Sequence, residues 1–215
     1  MENKYIYVML SQTQTKFARC IRKVGKQKYN HAAIALDDSL SEIYAFARPQ
    51  HNAIFLGRLV CESVERYTLR RGFPVPVVLL RIPVSEEEHA WIRTTIDTML
   101  ENPEYMYNLF SILTYPLFRG FATYKAFTCM EFVTYLLQHS GYLRDKLRFR
   151  YTPDELLCDF TPEVVYSGDI RGCLPDIRES DRYFAPVDMK IFLESIKSIF
   201  RITGRSLCRR KALMP

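Results

Sequence analysis

The chain has 215 residues, 48% of them hydrophobic and 13% aromatic, with a formal net charge of +6. That content is enough to bury the core of one globular domain over residues 1–215 and is unlike the composition of a disordered chain. The longest apolar run, Phe73 to Leu80, is interrupted by prolines and falls far short of the roughly 18 residues a membrane span needs, so no transmembrane segment is expected.

The opening "MENKYIYVML" has acid and base before a short apolar run and no small-residue cleavage pattern, so a cytoplasmic location is expected. Six cysteines, Cys20, Cys61, Cys129, Cys158, Cys173 and Cys208, are scattered without CxxC pairs, which points to reduced thiols rather than a disulfide framework or a zinc ribbon. Basic residues cluster in "ARCIRKVGKQK" and "RITGRSLCRRKALMP", and neither cluster lies in a nucleic-acid-binding signature. A specific nucleic-acid partner is therefore not expected, and a weak contact with an anionic surface is all the charge supports.

In chain order, Tyr5 to Leu10 reads as a strand and Thr13 to Val24 as an amphipathic helix ending near Gly25. His31 to Leu36 and Glu42 to Arg48 flank the polar turn "DDSLS" and predict a β-hairpin. Pro49 to Gly72 is mixed, with room for a short helix in "GRLVCESVERYTLRRG", and Val77 to Ile82 is a buried strand. Ser85 caps a helix with acids in its first turn, and "YMYNLFSILTYPLF" gives a shorter helix ending before Pro116. Beyond the Cys129 helix come a capped turn in "YTPDELL", a late strand in "EVVYSGDI", a C-terminal helix from Val187 to Ile202, and a basic tail. The pattern predicts an α+β fold with one antiparallel sheet packed against helices.

The segment "FTCMEFVTYLL" holds the strongest chemical signal. Thr128 and Glu131 form the capping box Thr-x-x-Glu, and Phe127 and Phe132 occupy the two positions of a hydrophobic staple, so both signals put Cys129 at the first helical position. There the free N–H groups and the positive end of the helix dipole favour a thiolate and offer donors for an oxyanion. A small core residue at a helix start is the competing reading. Glu131 is accounted for by its capping role.

A thiol nucleophile wants a histidine base that is itself oriented by a third polar group. His139 lies ten residues along the same helix, ~15 Å away. His89 falls in the first turns of a solvated helix and His51 in a loop. His31 starts a strand whose same-face neighbours are Ala33 and Ala35, an open surface over which a helix end could dock. Glu42 or Tyr44 on the next strand could orient its ring. Tyr107, with Tyr105, Asn108 and the segment from Tyr115 to Phe118, is a candidate for lining a pocket or for the core.

The order "YNHAAIAL", "EIYAFARP", "FTCMEFVTYLL" resembles the circularly permuted papain-fold cysteine hydrolases of the NlpC superfamily, in particular the YiiX/YebB-like branch. In permuted members a His-bearing strand comes first, a polar residue follows on the next strand, and the Cys-bearing helix arrives last. The cysteine segment is also similar to Asn-Cys-Glu-His-Phe-Val of lecithin:retinol acyltransferase-like enzymes, with Thr128 in place of Asn and Met130-Glu131 in place of Glu-His. The likeness covers residues 1–170 approximately.

It implies Cys129 as nucleophile and His31 as general base. A second histidine often stands third in the family; the Glu42 to Arg48 strand has none, which leaves Glu42 as the choice and Tyr44 as the reserve. The implied reaction cleaves an amide or peptide-like bond of a small-molecule or peptide-like acyl substrate through a thioester, with no metal or organic cofactor. Two other readings stand beside it. One is a lipid acyltransferase or deacylase at a membrane surface, helped by Arg209, Arg210 and Lys211. The other is a catalytically silent ligand-binding module of the same fold.

Overall fold

β1 (Lys4–Ser11) is apolar on both faces, with Ile6, Val8 and Leu10 in one core and Met9 in the other. A strand buried on both faces belongs inside a sheet. In the computed structural model, which describes residues 4–71, 73–118, 120–174 and 182–207, β1 pairs with β2 (His31–Ala35) on one side and β5 (Pro76–Val84) on the other. β3 (Ile43–Ala47), β4 (Arg58–Glu62) and β8 (Val164–Asp169) complete the order β4-β3-β2-β1-β5-β8, with every neighbour antiparallel. β6 (Met106–Tyr107) and β7 (Ala126–Phe127) form a small parallel pair of their own.

The two sheet faces are covered differently. On the face of Ala32, Ile34, Tyr44 and Phe46 lie apolar residues of α3 (Glu86–Glu101), α5 (Cys129–His139) and α6 (Pro153–Asp159). On the face of Ala33, Ala35, Ile43 and Ala45 lie Tyr67 of α2 (Val64–Thr68) and the apolar residues Ile170 and Leu174 that follow β8. α1 (Lys16–Gly25) follows β1 and is capped by Thr15. α4 (Leu109–Phe118) and α7 (Met189–Leu207) complete the α+β arrangement.

The hairpin, the late strand and the capped helices fall where the residue pattern puts them. Three starts, at Ser85, Thr128 and Thr152, have complete capping boxes. Three elements differ from expectation. β4 occupies the first part of the segment read only as mixed with a short helix, and α2 follows it. In "YMYNLFSILTYPLF", read as one helix ending before Pro116, β6 takes Met106 and Tyr107, and α4 starts at Leu109 and runs past Pro116 to Phe118. α7 extends five residues beyond Ile202. Gly72, Cys208 and the basic tail at Arg209, Arg210 and Lys211 lie outside the described residues.

Candidate active site

The start of α5 is built as its sequence dictates. Thr128 is extended, its hydroxyl accepts from the Glu131 amide at 3.1 Å, and the Glu131 carboxylate accepts from the Thr128 amide at 2.7 Å. Phe127 and Phe132 both pack on Phe46 of β3, with ring centroids 5.4 and 5.3 Å away. The staple residues thus fasten the helix start to the sheet as well as to the chain entering it. Cys129 is the first helical residue, buried, and lines a cavity of about 380 Å³ that His31 and Glu62 also line.

His31 is the first residue of β2 and stands beside Cys129. The two side chains line the same cavity, and each acts on the other's proton affinity, chiefly through charge. The docking differs from the expected one. α5 lies on the Ala32 and Ile34 face, not over Ala33 and Ala35, and it reaches His31 because that residue ends the strand.

The third member is Glu62, the last residue of β4. Its Oε2 lies 2.8 Å from His31 Nε2 and also accepts from the Tyr67 hydroxyl. With Nε2 on Glu62, Nδ1 is the ring nitrogen left for Cys129.

Neither Glu42 nor Tyr44 takes this position, and the register gives the reason. Residues directly opposite in an antiparallel pair share a face. Tyr44 is opposite Ile34 and Ile43 is opposite Ala35, so Glu42 and Tyr44 belong to the Ile34 face while His31 belongs to the Ala33 and Ala35 face. The Glu42 carboxylate accepts from the Tyr44 hydroxyl at 2.8 Å instead. Glu62 is opposite Ile43, which puts it on the His31 face.

The site's charges support one another. Burial alone would lower the His31 pKa, but Glu62 and Cys129 outweigh it and hold it well above the usual histidine value. Burial alone would raise the Cys129 pKa, yet the charge and hydrogen bond of His31 carry it below the ordinary thiol value. Glu62 is likewise held below the usual carboxylate value against its burial, by His31 first and then Tyr67. His31 thus favours the charged forms of both the thiol and the carboxyl, and each of them favours the protonated ring, while Glu62 acts against the thiolate. By contrast, burial pushes Cys173 up to about 11.

Tyr107 also lines the cavity, its pKa pushed well above the usual phenol value by burial and then by the charge of Cys129. It therefore keeps its proton. Gly57 makes room for it, since a Cβ there would lie 2.3 Å from the Tyr107 Cβ, and the Gly57 carbonyl accepts from the Tyr107 amide at 2.8 Å. Of the segment from Tyr115 to Phe118, the side chains of residues 116–118 lie outside what the structure describes, and other candidates have structural roles. Tyr105 stacks on Phe127, and Asn108 is buried and donates to the Phe121 carbonyl at 2.8 Å. His139 stacks on Trp91, His89 bonds the Leu36 carbonyl at 2.9 Å, and His51 meets Tyr183.

Glu62 is not among the residues the sequence singles out, because the segment reads as mixed and β4 does not stand apart from the short helix behind it. The signal was the run Arg58-Leu-Val-Cys-Glu62, whose Leu59 and Cys61 pack toward one face and leave Val60 and Glu62 for the other. No protein-family model, no curated protein and no solved structure matches the chain.

Proposed function

We propose that this protein is a cysteine hydrolase of permuted papain-like fold that cleaves an amide or peptide-like acyl bond through a thioester on Cys129. The observation that carries the reading is the buried row Cys129, His31, Glu62, in which the thiol is depressed and the imidazole raised at the head of a helix. The Cys129 thiolate attacks the carbonyl carbon, a C–S bond forms, and the carbonyl π-electrons move onto oxygen. That oxyanion is met by the amides of Cys129 and Met130, which helix geometry leaves without intrahelical partners, and by the protonated Tyr107 hydroxyl. His31 gives its proton to the leaving nitrogen as the C–N bond breaks. In the second half neutral His31 takes a proton from water, the resulting hydroxide attacks the thioester, and the C–S bond breaks to restore the thiolate. Glu62 holds the ring and balances its charge without taking a proton.

One observation favours a second reading, deacylation of a lipid-like ester by the same residues. The cavity is walled by Ile54, Phe55, Leu56, Leu109 and Leu113 besides its polar members, a lining suited to a long apolar acyl group.

The test is acylation by an activated p-nitrophenyl ester, read by intact mass and peptide mapping. The expected result is one acyl group on Cys129 that turns over in water, with His31→Asn slowing its formation at least tenfold. Acyl groups spread evenly over the cysteines, at a rate the His31 change leaves alone, would sink the proposal.

A further inference from the structure

α7 presents three different faces. Ile202 packs with Met106, Phe110 and Ala126, and Arg205 donates to the carbonyls of Glu104 and Tyr124 at 2.7 and 3.3 Å, which fastens the helix to the body. On another side Met189, Phe192, Leu193, Ile196, Phe200 and Leu207 are 37% to 80% exposed. At about 100° per residue these six positions fall in one sector about 100° wide, so they form a continuous apolar stripe rather than scattered side chains. Lys190 and Lys197 border that stripe, with Arg201 just beyond, and Glu194 is the one acid of the helix.

We propose that α7 is a membrane-surface helix that lays this stripe into an anionic phospholipid bilayer. A helix with a strong apolar side, a basic side and little net hydrophobicity lies in the plane of the interface. Among the described residues no helix is long and apolar enough to cross a membrane, which fits a surface contact. Charge decides between a bilayer and a second copy of the chain. Pairing two stripes face to face would bring Lys190, Lys197 and Arg201 of both copies to a shared rim with little acid to balance them, whereas anionic headgroups meet the same residues favourably. The proposal goes beyond the hydrolase reading and stands whatever Cys129 acts upon.

The experiment is co-sedimentation of the full chain with phosphatidylcholine vesicles, with and without phosphatidylserine, at low and high salt. The expected result is binding to the phosphatidylserine vesicles that weakens with salt. Lys190→Gln with Lys197→Gln should lower the partition coefficient about fivefold per charge removed. Phe192→Ser with Phe200→Ser should lower it at least tenfold, and because both rings are exposed the circular dichroism should be unchanged. Binding indifferent to both pairs of changes, or no binding to either vesicle, overturns the proposal. So does a dimer in sedimentation velocity that the phenylalanine changes dissociate without any vesicle binding, since the stripe's occupant would then be a second copy. The readout is binding alone, so a failure here is separate from a failure of Cys129 to form an acyl-enzyme.

Discussion

α3 and α5 open on the same device, Ser85-x-x-Glu88 in one and Thr128-x-x-Glu131 in the other. In both, the hydroxyl accepts from the third amide at 3.1 Å, and the carboxylate accepts from the cap amide at 2.8 Å in α3 and 2.7 Å in α5. Their surroundings differ. The α3 box is at the surface, while Thr128 and Glu131 are 5% and 1% exposed. Burial pushes Glu131 up to about 7 and leaves its Oε1 without a partner among the described residues. Local sequence therefore starts a helix, and the packing around that start decides whether it carries chemistry. At α5 the first residue meets His31 and Glu62; at α3 the first residue, Glu86, is exposed.

If the strand partners rather than the cap make α5 reactive, Glu62→Gln should slow acylation of Cys129 on the order of a hundredfold near neutral pH. It should also move the alkaline limb of the pH profile downward, because the charge that holds His31 protonated is gone. Glu42→Gln should leave rate and profile unaltered, and an equal loss from both changes would reverse the assignment of Glu62 over Glu42.

The buried box should also be visible in stability. A carboxyl whose folded pKa is raised favours the folded state fully below its unfolded value and loses that contribution as pH rises through the folded value. For Glu131 the window runs from 4.5 to about 7. The loss amounts to about 3 kcal/mol across it. Urea unfolding at a series of pH values should show this slope, and Glu131→Gln should flatten it while Glu88→Gln does not. A slope that persists in Glu131→Gln assigns it to another group.

A third measurement moves a thiol to the other helix. In a Cys129→Ser background, Glu86→Cys occupies the first position of α3, where the cap and helix dipole act without an imidazolium. Relative to its own alkaline plateau, Cys129 in the parent should be alkylated by iodoacetamide faster at pH 6 than this transplanted thiol, because only Cys129 has the His31 imidazolium to lower its pKa. Coincident profiles would mean that a cap alone suffices. The smallest effect is expected from the caps themselves, with Thr128→Ala costing about 1 kcal/mol and Ser85→Ala about half of that in chemical unfolding. Equal costs would show that burial adds nothing to the cap.

The residues of the helix starts that are legible in the sequence share a feature, which is that their reasons lie within five positions. Thr128, Glu131 and Phe127 announce the start of α5 through contacts three and five residues apart, and Ser85 and Thr152 do the same for α3 and α6. His31 was identified by elimination among four histidines, since His139 is too far along the same helix. Its orienter was not legible. Glu42 is near His31 in sequence, yet the hairpin register turns it to the opposite face, and a register shifted by one residue would exchange the two faces.

The sequence by itself determined where the three helices with capping boxes begin and which cysteine heads one of them. Those properties follow from backbone groups and side chains a turn apart, whose geometry is the same in any fold. The tertiary structure alone decided that Glu62 faces His31, that α5 reaches the end of β2, and that the α7 stripe is exposed among the described residues. Each of these depends on strand order and register, which are set by the packing of segments tens of residues apart, and no local preference encodes them.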